Sequence, residues 1–310
     1  MTDNKLISIV IPLFNEKENL PSLNDELVRT LNDLAFDFEI IYVNDGSSDG
    51  SLDVVKDLNS KDPRVNFISF SKNFGHQTAL KAGLDHATGK AVISLDADHQ
   101  HPVSKIPELI KKWQEGYEIV YTVREDDGEL GWIKKFTSRQ FYKIINRLSD
   151  TKIEAGTADF RLLDEKIIRI IREHKESNLF LRGIIPSLGF KQVSVPYKAH
   201  PRFKGKTKYS FKKMLQLAIT GITSLSPKPL FLSIYFGAFF AMLAFVYGVF
   251  AIYVKLFTDQ AVEGWTSIVA SILFIGGIQL MVLGVMGIYL GKLFIESKNR
   301  PHYIVAEKSL

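Results

Sequence analysis

Over the first two thirds of the chain, short apolar runs alternate with longer segments whose apolar residues recur at helical spacing. Ile7-Ser8-Ile9-Val10-Ile11-Pro12-Leu13 predicts a first strand, and a helix follows from about Asn19 to Leu34. Phe38-Glu39-Ile40-Ile41-Tyr42-Val43 predicts a second strand that stops at a cluster of turn and cap residues, Asn44 to Gly50. A helix to about Asn59, a strand Val65–Ser69 and a helix His76–Ala87 come next, the last ended by Gly89. Val92 to Leu95 is a further strand, followed by a helix Pro102–Glu115 and a strand Tyr117–Val123. Such alternation predicts an α/β fold, a mostly parallel Rossmann-like sheet with helices on both faces.

After Pro229 the pattern changes. Pro229 to Val254 and Thr266 to Leu290 are apolar and uncharged, with only Lys255 to Trp265 between them. At ~1.5 Å per residue each run crosses a ~30 Å bilayer core, so the pair predicts a transmembrane helical hairpin over 229–294. Just before it, Phe211, Met214, Leu215, Ala218, Ile219, Ile222 and Leu225 recur at helical spacing beside Lys212 and Lys213. That pattern predicts an amphipathic helix over 209–228 lying at the lipid interface. Lys204, Lys206, Lys208, Lys212, Lys213 and Lys228 precede the hairpin, and Lys292, Lys298 and Arg300 follow it. The positive-inside rule then puts both termini, the 1–208 domain and the 295–310 tail of this multi-pass membrane protein in the cytoplasm. The polar N-terminus has no signal-peptide core. Arg300 to Val305 reads as a terminal strand returning to the soluble domain. Gly276, Gly277, Gly284, Gly287 and Gly291 allow close helix packing, which points to a homo-oligomer.

Composition adds three limits. No cysteine occurs among the 310 residues, which excludes disulfides and thiolate metal sites. The net charge of +5 suits acidic lipid or phosphorylated ligands. No segment alternates basic and aromatic residues, which argues against a nucleic-acid partner.

The candidate chemistry starts where the fourth strand ends. Val92-Ile93-Ser94-Leu95-Asp96-Ala97-Asp98 runs from an apolar core into two carboxylates separated by one small residue. Carboxylates at such a place call for a cation, and hard oxygen ligands suit Mg²⁺ or Mn²⁺ sharing its shell with phosphates. Asn15 and Glu16 end the first strand and Asp45 the second. In a parallel sheet these ends share one rim, where open α/β sheets bind ligands. The turn after the second strand lacks the Gly-x-Gly-x-x-Gly and Lys-Ser/Thr patterns of phosphate loops.

Ile-Pro-Leu-Phe-Asn-Glu, Val-Asn-Asp-Gly-Ser-Ser-Asp-Gly-Ser and Ser-Leu-Asp-Ala-Asp, in that order, resemble family 2 glycosyltransferases of the GT-A fold. The resemblance implies a nucleotide-sugar donor bound around Pro12, Phe14 and Glu16, with Asp45 reading the base. It implies Asp96, Ala97 and Asp98 at the donor diphosphate, and Asp96, Asp98 and Gln100 at the metal. His99 and His101 depart from the family pattern and are expected to be solvated loop residues.

Ala155-Gly156-Thr157-Ala158-Asp159-Phe160-Arg161-Leu162-Leu163 places a carboxylate before a short apolar strand and resembles a block of the polyprenyl-phosphate branch. There Asp159, with Asp98, takes the catalytic place. A phosphate acceptor is already ionised near neutrality, so Asp159 acts either as a base or as an orienting group. Arg124 follows the strand Tyr117–Val123, and Lys134 and Ser138 lie four apart on one helical face. His200 to Tyr209 is a cationic loop resembling the Arg-x-x-Gly-x-Ser/Thr-Lys-Tyr block of dolichol-phosphate mannosyltransferases and bacterial polyprenyl-phosphate glycosyltransferases. Arg124, Lys134, Ser138, Arg202 and Lys208 are the expected phosphate ligands. The absence of Gln-x-x-Arg-Trp argues against a processive synthase. The whole pattern resembles bactoprenol glucosyltransferases. The expected reaction is inverting transfer of glucose from UDP-glucose to a membrane polyprenyl phosphate. Transfer of mannose or an aminoarabinose derivative, and a non-catalytic membrane-anchored nucleotide-sugar-binding protein, are the alternatives.

Overall fold

The computed structural model describes residues 6–125, 154, 156–174, 176, 180–198, 228–257 and 264–310. The expected alternation is present: β1 Leu6–Leu13, α1 Leu20–Asn32, β2 Asp37–Asn44, α2 Ser51–Lys61, β3 Val65–Phe70, α3 His76–His86, β4 Ala91–Ser94, α4 Ile106–Gln114 and β5 Ile119–Arg124. Then come β6 Thr157–Asp164, α5 Glu165–Glu173, α6 Leu181–Ser187 and β7 Gln192–Tyr197. Two long helices, α7 Lys228–Phe257 and α8 Trp265–Ser297, precede a last strand, β8 Val305–Lys308.

Among the described residues the strands form one sheet in the order β7-β5-β6-β4-β1-β2-β3-β8. β1 pairs in parallel with β2 and β4, and β2 with β3. β6 runs antiparallel between β4 and β5, and β7 returns parallel to β5. The central strands are apolar on both faces because helices cover both. Ile9, Ile11, Ile40 and Tyr42 pack toward α1 and α4, while Val10, Ile41 and Val43 pack toward α3 and α5. Gly83 lets α3 lie close on β1: a Cβ there would stand 2.1 Å from Val10 Cγ1.

Three features differ from the sequence expectation. The span Pro102–Glu115 is a 3₁₀ turn, Val103–Lys105, leading into a shorter α4. Asp159 lies inside β6 rather than before it. The returning strand starts at Val305, not Arg300, and pairs antiparallel with β3. Tyr303 holds the tail in place: it stacks on Phe70 at 5.1 Å and donates to Asp85 Oδ2 at 3.2 Å. Asp85 also pairs with the buried Lys81 on α3.

α7 and α8 have 30 and 33 residues. Their apolar windows, Ser233–Phe250 and Phe274–Ser297, bury none of their residues within the chain. The helices meet through an edge-to-face contact of Phe240 and Phe274 at 5.3 Å. Lengths of about 45 and 50 Å suit a tilted membrane crossing.

Candidate active site

The first wall of the site is two loops laced together. The Asn15 N–H donates to Ser47 Oγ at 2.9 Å, and Ser48 N–H donates to Asn15 Oδ1 at 2.9 Å. Glu16 N–H donates to Ser51 Oγ at 3.0 Å. These bonds join the ends of β1 and β2, and Asn15 adopts φ 58° to make the turn. Pro12 is buried beneath, and Phe14 stands 38% exposed above. Glu16 accepts from Asn19 Nδ2 at 2.6 Å.

Asp45 is buried, and its carboxylate accepts the N–H groups of Phe74 at 2.6 Å and Gly75 at 2.9 Å. Burial pushes its pKa up against the pull of those donors. The immediate result is that Asp45 fixes the loop before α3. That loop delivers His76 and Gln77 to the second wall.

β4 ends at Asp96 and Asp98, both part-exposed, with Ala97 buried between them. Asp98 Oδ1 accepts the N–H of Gln100 at 3.1 Å. Asp96 Oδ1 is buried and makes no hydrogen bond, though it faces His76 Nε2 at 3.4 Å. The backbone N–H of Asp96 donates to His101 Nδ1 at 3.0 Å, so neutral His101 carries its proton on Nε2, which faces Asp96 Oδ2 at 3.8 Å. His101 is thus a buried support and not a solvated loop residue. It stacks on Phe160 at 5.3 Å and meets Tyr197 edge-on at 5.8 Å. His99 is also anchored, with Nε2 2.9 Å from Ser22 Oγ and 3.2 Å from the Asn19 carbonyl.

A buried carboxylate oxygen with no hydrogen bond, held only by the His76 contact and beside a second carboxylate, fits a hard divalent cation. Among the described residues no three His, Asp or Glu side chains close a metal shell by themselves. Two carboxylates would leave the remaining positions to other ligands.

Opposite lies Asp159, buried at the start of β6. Arg182 grips it side-on, Nε to Oδ1 at 3.0 Å and Nη2 to Oδ2 at 2.7 Å. Arg161 Nη2 reaches Oδ1 at 3.3 Å, and Gln77 Nε2 donates to Oδ2 at 3.1 Å. His76 Nε2 lies 3.3 Å from Oδ2. Burial alone would raise the Asp159 pKa, but Arg182, His76 and Arg161 hold it well below the usual carboxylate range. A carboxylate so held is a weak base. Burial lowers the His76 pKa, and the Asp159 hydrogen bond and the Asp96 charge more than offset it, bringing it to about 9.

Arg124 is exposed at the end of β5, opposite Tyr197 at the end of β7. Burial raises the Tyr197 hydroxyl to about 12, and the charges acting on it are those of Arg124, Asp96, Asp98 and Arg182. One site therefore gathers Asp96, Asp98, Asp159, Arg124 and Arg182. Lys134, Ser138, Arg202, Lys208 and the segment 209–227 lie outside the described residues.

The profile of Glycosyl transferase family 2 matches residues 8–171, which span β1 to α5 and hold every acidic group just described. The chain belongs to that family. It is a glycosyltransferase with a GT-A-like, mostly parallel sheet. The chain is 42% identical over 298 residues to an uncharacterized glycosyltransferase, YkcC, of Bacillus subtilis (strain 168), covering 96% of this chain and 92% of that one. It is 42% identical over 300 residues to a prophage bactoprenol glucosyl transferase homolog of Escherichia coli (strain K12), covering 96% and 98%. Its identity to the bactoprenol glucosyl transferase of Shigella phage SfV is also 42%, covering 96% and 97%. Among solved structures, a mannosyl-3-phosphoglycerate synthase from Rubrobacter xylanophilus aligns over 69% of this chain and 71% of its own, at 14% identity and TM-score 0.49.

Four residues of this glycosyltransferase's site escaped the sequence reading: His76, Gln77, Arg161 and Arg182. Arg161 carried a signal, a lone charge in the apolar run Phe160-Arg161-Leu162-Leu163. The other three look like ordinary helix-start residues and become site residues only through folding.

Proposed function

We propose that this glycosyltransferase moves a hexose, glucose from UDP-glucose, onto the phosphate of a membrane polyprenol with inversion of configuration. The reading rests most on the C-terminal strand. β8 pairs with β3 after two apolar helices, so the catalytic sheet and the membrane hairpin are tied at both ends. A water-soluble acceptor would need no such tether. Relatives covering nearly the whole chain are named as bactoprenol glucosyl transferases, which favours this acceptor.

In this reading the base lies over Phe14 and the donor sits among Pro12, Glu16 and Asp45. Asp96 and Asp98, with Gln100 beside them, would hold Mg²⁺ or Mn²⁺, which neutralises the charge on the departing diphosphate. The lipid phosphate oxygen forms the new bond to the anomeric carbon as the bond to the diphosphate breaks, and the nucleoside diphosphate leaves. No proton has to be removed from an acceptor that is already a dianion or monoanion near neutrality. Asp159 therefore orients cations and does not serve as a base. Arg124, with Lys134, Ser138, Arg202 and Lys208, meets the phosphates.

The proposed organisation is a cytoplasmic domain over 1–208, an interfacial helix over 209–228, the hairpin over 229–294 and a tail over 295–310 in a bacterial plasma membrane. Self-association through the glycines of α8 belongs to the same proposal.

The test is turnover of labelled nucleotide sugars with polyprenyl phosphate in vesicles containing Mn²⁺. UDP-glucose is expected to give a lipid-linked product of inverted configuration, faster than the mannose and aminoarabinose donors. Asp96→Ala should lower turnover on the order of 10²-fold or more. Unchanged turnover in that variant refutes the metal assignment, and absence of lipid product with every donor refutes the acceptor.

A further inference from the structure

Tyr303 grips the catalytic sheet at two points. Its ring stacks on Phe70, the last residue of β3, at 5.1 Å with 17° between the planes. Its hydroxyl donates to Asp85 Oδ2 on α3 at 3.2 Å. Between those two points lies the segment Ser71 to Gln77, which carries His76 and Gln77 to the candidate active site. One side chain from the end of the protein therefore closes this segment like a clasp.

The segment is held from both sides. On the inner side Asp45 accepts the N–H groups of Phe74 and Gly75. A Cβ on Gly46 would overlap the Lys72 backbone, so the segment lies directly on the turn after β2. On the outer side the Ser71 N–H donates to the Ile304 carbonyl at 3.1 Å. Phe74 meets Phe70 edge-on at 5.6 Å, so the ring on which Tyr303 stacks is also the ring that seats Phe74. Asp85 is braced as well. Lys81, with 3% of its side chain exposed, takes Oδ1, and Tyr303 takes Oδ2. A segment loose at either end would have to be ordered when a ligand binds, which costs affinity. Here the tail has ordered it in advance. Tyr303 follows Ser297, the last residue of α8, by six positions, so it lies at most about 22 Å from the end of that helix.

We propose that Tyr303 is a positioning residue of the donor site. It holds Ser71–Gln77 where Asp45 meets it, so the chain beyond the membrane hairpin completes the pocket for the nucleotide. This rests on the glycosyl-transfer reading above, in which the donor sits at Asp45. It adds a residue from the C-terminal tail that acts through the segment and not on the substrate.

The experiment uses the full chain in phospholipid nanodiscs with Mn²⁺. UDP binding is measured by titration calorimetry, and turnover with UDP-glucose and polyprenyl phosphate gives a KM for each substrate. The wild type is expected to bind UDP. Tyr303→Leu loses both the stack and the hydrogen bond, and its Kd for UDP and KM for UDP-glucose should rise ~10-fold, with little change in kcat or in the KM for the lipid. Tyr303→Phe keeps the stack and loses only the hydroxyl, so its rise should be ~3-fold. It is also the readable variant if Tyr303→Leu does not fold. Ser309 Oγ accepts the Phe67 N–H at 2.8 Å at the far end of β8, so Ser309→Ala loosens the strand away from the segment and should bind UDP as the wild type does. If the readable Tyr303 variants bind UDP as tightly as wild type, Tyr303 only anchors the tail and the inference is overturned, with the transfer reading intact. Equal weakening in Ser309→Ala, or an equal rise in the lipid KM, also overturns it, because general loosening then explains the effect. A wild-type protein that binds no UDP overturns the donor reading and this inference together.

Discussion

At the scale of single residues the decisive feature is a shared imidazole. His76 stands between Asp96 and Asp159, and both carboxylates favour its protonated form, bringing its pKa to about 9 from an ordinary 6.5. The linked stability has a definite sign. A folded pKa above the unfolded one stabilises the protein fully below about pH 6.5, and that contribution disappears as pH rises through about 9. In metal-free protein, His76→Gln should therefore lower the unfolding temperature most near pH 6 and make little difference by pH 10. A thermal-unfolding series of wild type and variant from pH 6 to pH 10 checks this. A difference that stays constant across the series contradicts a protonated His76. None of this could be read from the segment Gly75-His76-Gln77, where the histidine looks like any helix-start residue.

At the scale of elements, the site depends on how closely α3 lies on β1. α3 carries His76 and Gln77 at one end and Lys81 and Asp85 along its length, so it connects the Asp159 cluster to the tail residue Tyr303. Its approach is set by Gly83. A Cβ there would overlap Val10, which is itself fully buried and has nowhere to move. Gly83→Ala should cost ~1–3 kcal/mol, read as a lower urea midpoint, with the loss of activity tracking the displaced helix start. An unchanged midpoint would mean the sheet and helix can part without strain. The strands β1 to β5 and the helices between them were legible, because each is an apolar run or an amphipathic repeat of ordinary length. β7 and the short α6 were not. β7 alternates but is only six residues long and carries Pro196, a residue that argues against a strand, and α6 has seven residues and an internal proline, Pro186, too little for a periodic signal.

At the scale of the whole molecule, β8 constrains topology. A strand hydrogen-bonded into the catalytic sheet must lie on the same side of the membrane as that sheet, so α7 and α8 cross as a pair or not at all. In inverted membrane vesicles, protease added outside should cleave both an N-terminal and a C-terminal tag, and in right-side-out vesicles it should cleave neither. Opposite protection of the two tags would contradict the β3–β8 pairing. The antiparallel strand also covers the β3 edge, which a truncation after Arg300 would leave open to pairing with other chains.

The amino-acid sequence by itself determined whatever depends on neighbours along the chain. It set the buried strands, the two apolar spans, and the acidic pair at the end of β4, because each is a local pattern of burial. Tertiary structure alone decided the surroundings of Asp159. His76 lies 83 residues before it and Arg182 23 residues after it, and no periodicity connects positions so far apart. Folding brings them together because α3, β6 and α6 pack at one rim of the sheet. The charge balance of that rim exists only once the chain has closed.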